Sequence, residues 1–316
     1  MEEKNSASAR EVNKYKEFAR RVFEHHFGTR PKRVEHKAAG LSNFVFLAQH
    51  ADGEYIVRIS PLQEAINSFI KEQWSQLAAK DAGVPTAEIL EVGVSIIPQP
   101  YMITRHIKGQ PAATHPERLS IVRQMGEIAA KINSVMTHGF GATFEWSNNL
   151  LSLNNSWKGY LENEYRFQDK IQCLERRGLL AKKASREITR VFREAVQLKP
   201  RPALSHGDMR LKNVIVDEAG KIAAVLDWEK ATSNLSPHWE LSIALHDLGV
   251  DEKQSFIEGY GLTRRKLQDA LPLIKAFNIL NYASEVDRAV REKDKVGLDR
   301  VRLRLEGVFD LYSFRD

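Results

Sequence analysis

Asp208, Arg210, Asn213 and Asp227 are the residues in this chain whose types and spacing could do chemistry together. The first three fall in the run HGDMRLKN at 206–213, and Asp227 closes the stretch VIVDEAGKIAAVLD that follows. Val214 to Val216 and Ile222 to Leu226 are short β-branched runs, separated by the polar Asp217 to Gly220, which is a hairpin signal. An antiparallel hairpin brings its outer ends together, so the Asn213 amide oxygen and the Asp227 carboxylate are expected at one end. Hard oxygen ligands of that kind suit Mg²⁺, which keeps several waters and takes few protein ligands beside substrate phosphates. Asp208, five residues before Asn213, opens onto the same place and is left free to meet a substrate hydroxyl. The outline is that of a phosphoryl-transfer site. The plain alternative is that Asp208 caps a turn and Asp227 is an ordinary strand-end aspartate.

Other elements must position these groups. Val12, Tyr15, Phe18, Ala19, Val22 and Phe23 recur at helical spacing and predict an amphipathic N-terminal helix that stops at Gly28. The runs at 43–50 and 54–60 flank Ala51 to Gly53 and predict a β-hairpin, with 39–43 as the turn into its first strand. A helix over 69–79 takes its apolar side from Phe69, Ile70, Trp74, Leu77 and Ala78, and Gly83 and Pro85 end it. Strands are expected at 88–94 and 101–107. Beyond Gly109 the chain turns helical: Leu119, Val122, Met125, Ile128, Ala129 and Ile132 mark a buried face. The segment from Trp146 to Lys199 also has helical character, with Trp157, Leu161 and Tyr165 in step. Its Glu162, Glu164 and Asp169 fit either a cationic substrate or a solvated face, and the solvated face is the simpler reading. Pro200 and Pro202 break that helix before the 206–213 run. The chain from Lys253 onward is helical, with Phe277, Leu280, Tyr282 and Ala283 covering the core or rimming a substrate.

Composition sets limits. The chain has 316 residues, 42% hydrophobic and 28% charged, enough for one large domain or two lobes. The net charge of +6 raises nucleic-acid binding, but Lys and Arg alternate with Asp and Glu, as in 291–295, and no basic patch with interleaved aromatics is present. The excess positive charge favours attraction of a nucleotide. Cys173 is the single cysteine, so no intrachain disulfide forms. No apolar run is long enough for a signal peptide core or a membrane span, and a cytoplasmic protein without membrane or nucleic-acid partners is expected.

The spacing HGDxxxxN, the hydrophobic hairpin and LDWE at 226–229 resemble the aminoglycoside phosphotransferase and choline kinase family, a small-molecule counterpart of the protein kinases. The resemblance implies an α+β, protein-kinase-like two-lobe fold. Residues 1–107 would form a small nucleotide-binding lobe of antiparallel sheet plus helix. Residues 108–316 would form a larger, mostly helical catalytic and acceptor-binding lobe, with an insertion at 141–200. It further implies that Asp208 holds the acceptor hydroxyl, that Arg210 approaches the γ-phosphate (a surface role being the alternative), and that Asn213 and Asp227 hold Mg²⁺. Gly40, Ser42 and Asn43 would cover the phosphates of ATP or GTP. Arg58, paired to Glu72, would engage the α- and β-phosphates, and main-chain groups of Arg105 and Ile107 would meet the base. His206 would support the loop, and Glu229 would add a contact beside the metal aspartate.

Two positions depart from the pattern: Arg58 stands where lysine is usual, and Glu240 replaces the aspartate that braces the catalytic loop. Arg58 in YIVR and the run Gly139 to Gly141 look nearest to hygromycin-type phosphotransferases. The expected reaction is therefore Mg²⁺-dependent phosphoryl transfer to a small-molecule hydroxyl, with an aminoglycoside-like antibiotic or related metabolite as the leading acceptor. The rivals are a nucleotide-binding pseudokinase, a basic nucleic-acid-binding protein, and a protein kinase lacking the usual activation segment. Oligomeric state is open.

Overall fold

The computed structural model describes residues 9–37, 43–145, 151 and 154–311, with side chains to residue 306. Gly40 and Ser42 of the expected phosphate loop, and Trp146 at the start of the expected helical segment, lie outside the described residues. Close Cα approaches divide the chain into two units. The first comprises Met1–Gln110, Ile215–Ala219 and Ala223–Glu229, and the second Pro111–Val214, Gly220–Ile222 and Lys230–Asp316.

The first unit contains α1 (Ala9–Phe27), β1 (Arg33–Lys37), β2 (Phe44–Gln49), β3 (Glu54–Ile59), α2 (Ala65–Asp81), β4 (Ile89–Gly93) and β5 (Tyr101–Arg105). The strands form one antiparallel sheet in the order β1-β2-β3-β5-β4. Strict alternation makes β3 a ruler: Tyr55, Val57 and Ile59 are buried, while Arg58 lies on the other face. Helix α1 turns Tyr15, Ala19, Val22 and Phe23 onto the sheet, where they join Phe46, Ala48, Tyr101 and Ile103 in one core. Tyr15 stacks on Phe44 with ring centroids 3.8 Å apart. The chain leaves α1 at Gly28, whose left-handed φ of +68° favours glycine.

Helix α2 corrects the periodicity. Leu77 is 55% exposed, whereas Glu72, Ser75 and Gln76 are buried with Phe69 and Ala79. The helix turns a largely polar side inward because Glu72 must reach Arg58 beneath it, and that ion pair overrides the apolar pattern.

In the second unit, α3 (Arg118–Ser134) buries Ile121, Val122, Met125, Ile128, Ala129 and Ile132, while Leu119 at its first turn is 50% exposed. It crosses α8 (Val250–Tyr260) at very close range. A Cβ on Gly126 would stand 2.1 Å from the Phe256 carbonyl oxygen, and one on Gly259 would stand 1.9 Å from that of Arg123. The contact is thus glycine against backbone from both sides. Beyond it, α4 (Trp157–Gly159) runs into a π-turn (Tyr160–Glu164), followed by α5 (Phe167–Arg176) and α6 (Lys182–Ala195). Helices α7 (His238–Ala244), α9 (Arg264–Arg291) and α10 (Lys295–Leu311) complete the unit. Tyr165, Phe192 and Trp239 all pack edge-on or tilted against Phe277 or each other, which gives α6, α7 and α9 a shared aromatic centre. Phe277, Leu280, Tyr282 and Ala283 are all buried there, so they cover the core.

Three further pieces hold the loops. The paired strands β7 (Pro202–Ser205) and β10 (Thr232–Leu235) have no counterpart in the sequence reading. Each is only four residues long, and their antiparallel pairing joins segments about thirty residues apart, so no local period announces them. The short β6 (Gln110–Pro111), β8 (Val214–Val216) and β9 (Ile222–Val225) form a small sheet in the order β6-β8-β9. No helix among the described residues is long and apolar enough to cross a membrane.

Packed and exposed helix positions make different demands on stability. Gly126→Ala forces α3 and α8 apart and is expected to lower unfolding stability by about 1–3 kcal/mol in urea denaturation. Leu77→Ala, at a helix position facing water, is expected to change it by less than about 0.5 kcal/mol.

Candidate functional site

Strand β7 delivers the chain into a loop whose first four residues, His206 to Met209, are buried. Gly207 adopts φ +75°, and a Cβ there would sit 2.2 Å from the Lys230 carbonyl oxygen, so the loop can lie against that backbone only as glycine. The His206 N–H donates to Glu240 Oε2 at 2.6 Å, and the Asp208 N–H donates to His206 Nδ1 at 3.2 Å. One turn later the Asn213 Nδ2 donates to the Asp208 carbonyl oxygen at 2.9 Å. The whole run from His206 to Asn213 is therefore tied through its own main chain, with Glu240 of α7 bracing it.

The loop presents one carboxylate among three cations. Arg210 Nε stands 2.9 Å from Asp208 Oδ1, and Lys212 Nζ and Lys230 Nζ stand 3.3 and 3.2 Å from Oδ2. The Arg210 approach is close in distance but off the hydrogen-bond direction, since neither atom counts a directed partner. Burial raises the Asp208 carboxyl, but Arg210, Lys230 and Lys212 together outweigh it and hold it below the usual carboxylate range. Asp208 is 1% exposed and still ionised at neutral pH. Arg210 reaches onward to Asp247 Oδ2 at 3.4 Å, and Arg304 of α10 meets Asp247 Oδ1 at 3.6 Å.

In the first unit Arg58 Nη1 donates to Glu72 Oε1 at 2.7 Å, with Glu72 2% exposed. The guanidinium lies 5.3 Å from the centre of the Phe69 ring. Burial disfavours the Arg58 charge, yet Glu72, and then Asp227 and Glu229, outweigh it and push its pKa up. Asp227 and Glu229 of the first unit thus bear electrostatically on Arg58. Asp227 follows β9 with φ +66°, an uncommon setting for a non-glycine residue. The neighbouring Trp228 is fully buried and donates from Nε1 to the Val225 carbonyl oxygen at 3.0 Å.

Each expected site residue except Gly40 and Ser42, which lie outside the described residues, has a definite place. Asp208, Arg210 and Asn213 come together in the second unit; Arg58 and Glu72 come together in the first, with Asp227 close enough to act on them. Asn43 directly precedes β2, two residues before Val45, the cross-strand partner of Arg58. Arg105 ends β5, its N–H bonded to the Glu88 carbonyl oxygen at 2.8 Å and its side chain paired with the Glu88 carboxylate. The His106 N–H is bonded to the Glu54 carbonyl oxygen at 2.9 Å, and the Ile107 N–H has no partner among the described residues. Lys212, Lys230, Asp247 and Arg304 were not singled out by sequence. Lys212, four residues after Asp208, carried a local signal; Arg304 and Asp247, far apart in the chain, carried none.

A model of the phosphotransferase enzyme family matches residues 34–272, well over half of the chain, and the chain belongs to that family. Comparison with curated proteins finds no match. Similar solved structures include a thermostable mutant of aminoglycoside phosphotransferase APH(4)-Ia in ternary complex with AMP-PNP and hygromycin B. It is 17% identical over 94% of this chain and 99% of that one, with a TM-score of 0.67. The GDP complex of aminoglycoside 2'-phosphotransferase-IIIa is 15% identical over 93% and 98%, at 0.65. Macrolide 2'-phosphotransferase MphH from Brachybacterium faecium is 14% identical over 90% and 97%, at 0.58. The fold is the kinase-like α+β arrangement these enzymes share, and the chain is a small-molecule kinase by family.

The brace is itself a titrating group. Burial pushes Glu240 up from the ordinary 4.5 to about 7, against the His206 and Gly207 N–H groups that favour its ionised form. Between pH 4.5 and about 7 the folded chain keeps a proton that the unfolded chain releases. Stability therefore falls as pH rises through that window and levels off above it, by an amount on the order of a few kcal/mol. Urea unfolding midpoints across this range should show the fall in the native chain and a flatter profile in Glu240→Gln.

Proposed function

We propose that this member of the phosphotransferase enzyme family transfers the γ-phosphoryl group of ATP or GTP, in a Mg²⁺-dependent reaction, to a hydroxyl of a small molecule. The observation that carries this reading is the buried yet ionised Asp208, held by its loop and ringed by Arg210, Lys212 and Lys230.

Phosphoryl transfer asks a protein for in-line placement and for positive charge on the phosphate oxygens. Asp208 accepts a hydrogen bond from the acceptor hydroxyl, fixes its direction of attack and takes its proton as the new bond forms. Arg210 sits where a guanidinium can follow the charge on the transferred group. Arg58, steadied by Glu72, engages the α- and β-phosphates. Asn43, with Gly40 and Ser42, covers the phosphates, and main-chain groups of Arg105 and Ile107 meet the base; the uncommitted Ile107 N–H supports that placement. Asn213 and Asp227 are the residues that would hold Mg²⁺. Asn213 fits, since its Nδ2 is spent on the Asp208 carbonyl oxygen and its amide oxygen is the atom left for a cation. When bound, the ion neutralises charge between the phosphates.

Binding without turnover drew its motive from Arg58 and Glu240. Both side chains make the contacts their roles require, which supports transfer over that alternative. The known ligands of similar structures, hygromycin B with AMP-PNP in one and GDP in another, support a nucleotide donor and a small acceptor. They also keep an aminoglycoside-like antibiotic in view as acceptor.

The test is Mg²⁺-dependent nucleotide turnover with hydroxyl acceptors. Asp208→Asn is expected to lower kcat by about 10²–10⁴-fold while nucleotide still binds. Arg58→Ala is expected to act mainly on nucleotide KM. Undiminished turnover in Asp208→Asn would overturn the assignment.

A further inference from the structure

We propose that the acceptor is a small hydroxylated anion, bearing a carboxylate or phosphate group near the reacting hydroxyl, and that Arg304, positioned by Asp247 beside Arg210, reads that charge. The proposal rests on the phosphotransferase reading above and replaces its aminoglycoside-like acceptor with an anionic one.

The hydroxyl must arrive at Asp208. Every charged side chain that touches that carboxylate is a cation: Arg210, Lys212 and Lys230. The next layer is Asp247, shared between Arg210 and Arg304. Four cations thus meet two carboxylates. Neither Lys212, Lys230 nor Arg304 has a second carboxylate partner among the described residues. His246, close by, is held neutral by burial. A polycation approaching Asp208 would meet like charge at each step, whereas an anion would meet unlike charge.

The helical part repeats the sign. A cavity of about 700 Å³ lies between α5, the π-turn and α9. Its lining holds four cations, Arg166, Lys170, Arg176 and Arg177, against three carboxylates. Glu164 accepts from the Ala142 N–H and from Asn154, Asp169 pairs with Arg166, and Asp287 accepts from the Cys173 thiol at 3.1 Å. Lys170 lies 3.7 Å over the Tyr165 ring and, like Arg177, has no carboxylate partner among the described residues. Tyr165 packs edge-on against Trp239, the residue before Glu240. Neither place offers the surplus of free carboxylates that a polyamine would need.

A nucleotide alone could call for cations near Asp208. Arg304 separates the two explanations, because it reaches that carboxylate only through Asp247 and Arg210.

The experiment measures Mg²⁺-dependent ATP turnover in three arms, with Asp208→Asn as blank: hydroxy carboxylates (glycerate, gluconate), sugar phosphates (glucose 6-phosphate, ribose 5-phosphate) and polycations (hygromycin B, kanamycin). One anionic arm is expected to raise turnover at least tenfold over the acceptor-free rate, and the responding arm distinguishes carboxylate from phosphate. Arg304→Gln is then expected to raise the KM for that acceptor at least fivefold and the KM for Mg·ATP by less than twofold. Greater turnover on a polycation than on any anion overturns the inference, as does an equal rise of both KM values in Arg304→Gln. Acceptor-free hydrolysis that depends on Asp208 but responds to no anion overturns it too, while leaving the phosphotransferase reading intact. Loss of that reading itself would show differently, as hydrolysis indifferent to Asp208→Asn.

Discussion

An ionised carboxylate kept out of water is the constraint around which the second unit is arranged. Removing a carboxylate from solvent costs several kcal/mol unless its charge is matched. Asp208 is matched three times over, by Arg210, Lys212 and Lys230, and the excess leaves it ionised despite burial. That solution requires the backbone to hold still. The glycine at 207, the Asn213 amide on the Asp208 carbonyl, and Glu240 beneath His206 supply that rigidity. The β7–β10 pairing carries the two ends of the arrangement, since β7 leads into the loop and β10 follows Lys230. A glutamate in place of the shorter aspartate still reaches the His206 N–H, because α7 presents it from a fully buried position.

The first unit meets a parallel demand with a different partner. Arg58 is a half-buried cation on the face of β3 opposite the aromatic core, and Glu72 is its buried counter-charge from α2. The pair is a positioned charge more than a source of stability, since burying both ions consumes most of what their attraction returns. Similar structures at 14–17% identity keep the same fold over nearly the whole chain. A fold can outlast most of the sequence because it depends on few residues; in this chain these include glycine against backbone at α3 and α8 and the alternation in β3.

What was legible in the sequence is what is local. The hairpin of β8 and β9, the pair β2 and β3, and helix α1 follow from periods and turn residues within a few positions, and the HGDxxxxN run follows from spacing. The face of α2 was misread because periodicity assumes that apolar residues turn inward; there Leu77 turns out so that Glu72 can turn in. Leu119 fails for a simpler reason, being at the first turn of α3 where the helix has only begun to pack. Strands β7 and β10 were missed because each is too short to show a period. The Arg210–Asp247–Arg304 chain was missed because its members come from separate parts of the sequence and meet only in the folded chain.

Helix α2 carries one more consequence, in how the first unit meets cold. Apolar contacts weaken on cooling, because hiding hydrocarbon from water carries a large heat-capacity change, whereas polar surface contributes with the opposite sign. Helix α1 is seated by Tyr15, Val22 and Phe23; α2 is seated in good part by Glu72, Ser75 and Gln76. The two helices of one small sheet therefore have different thermal characters. Chilling loosens the grip of α1 sooner than that of α2, so the Arg58–Glu72 pair is the better preserved part of this unit at low temperature.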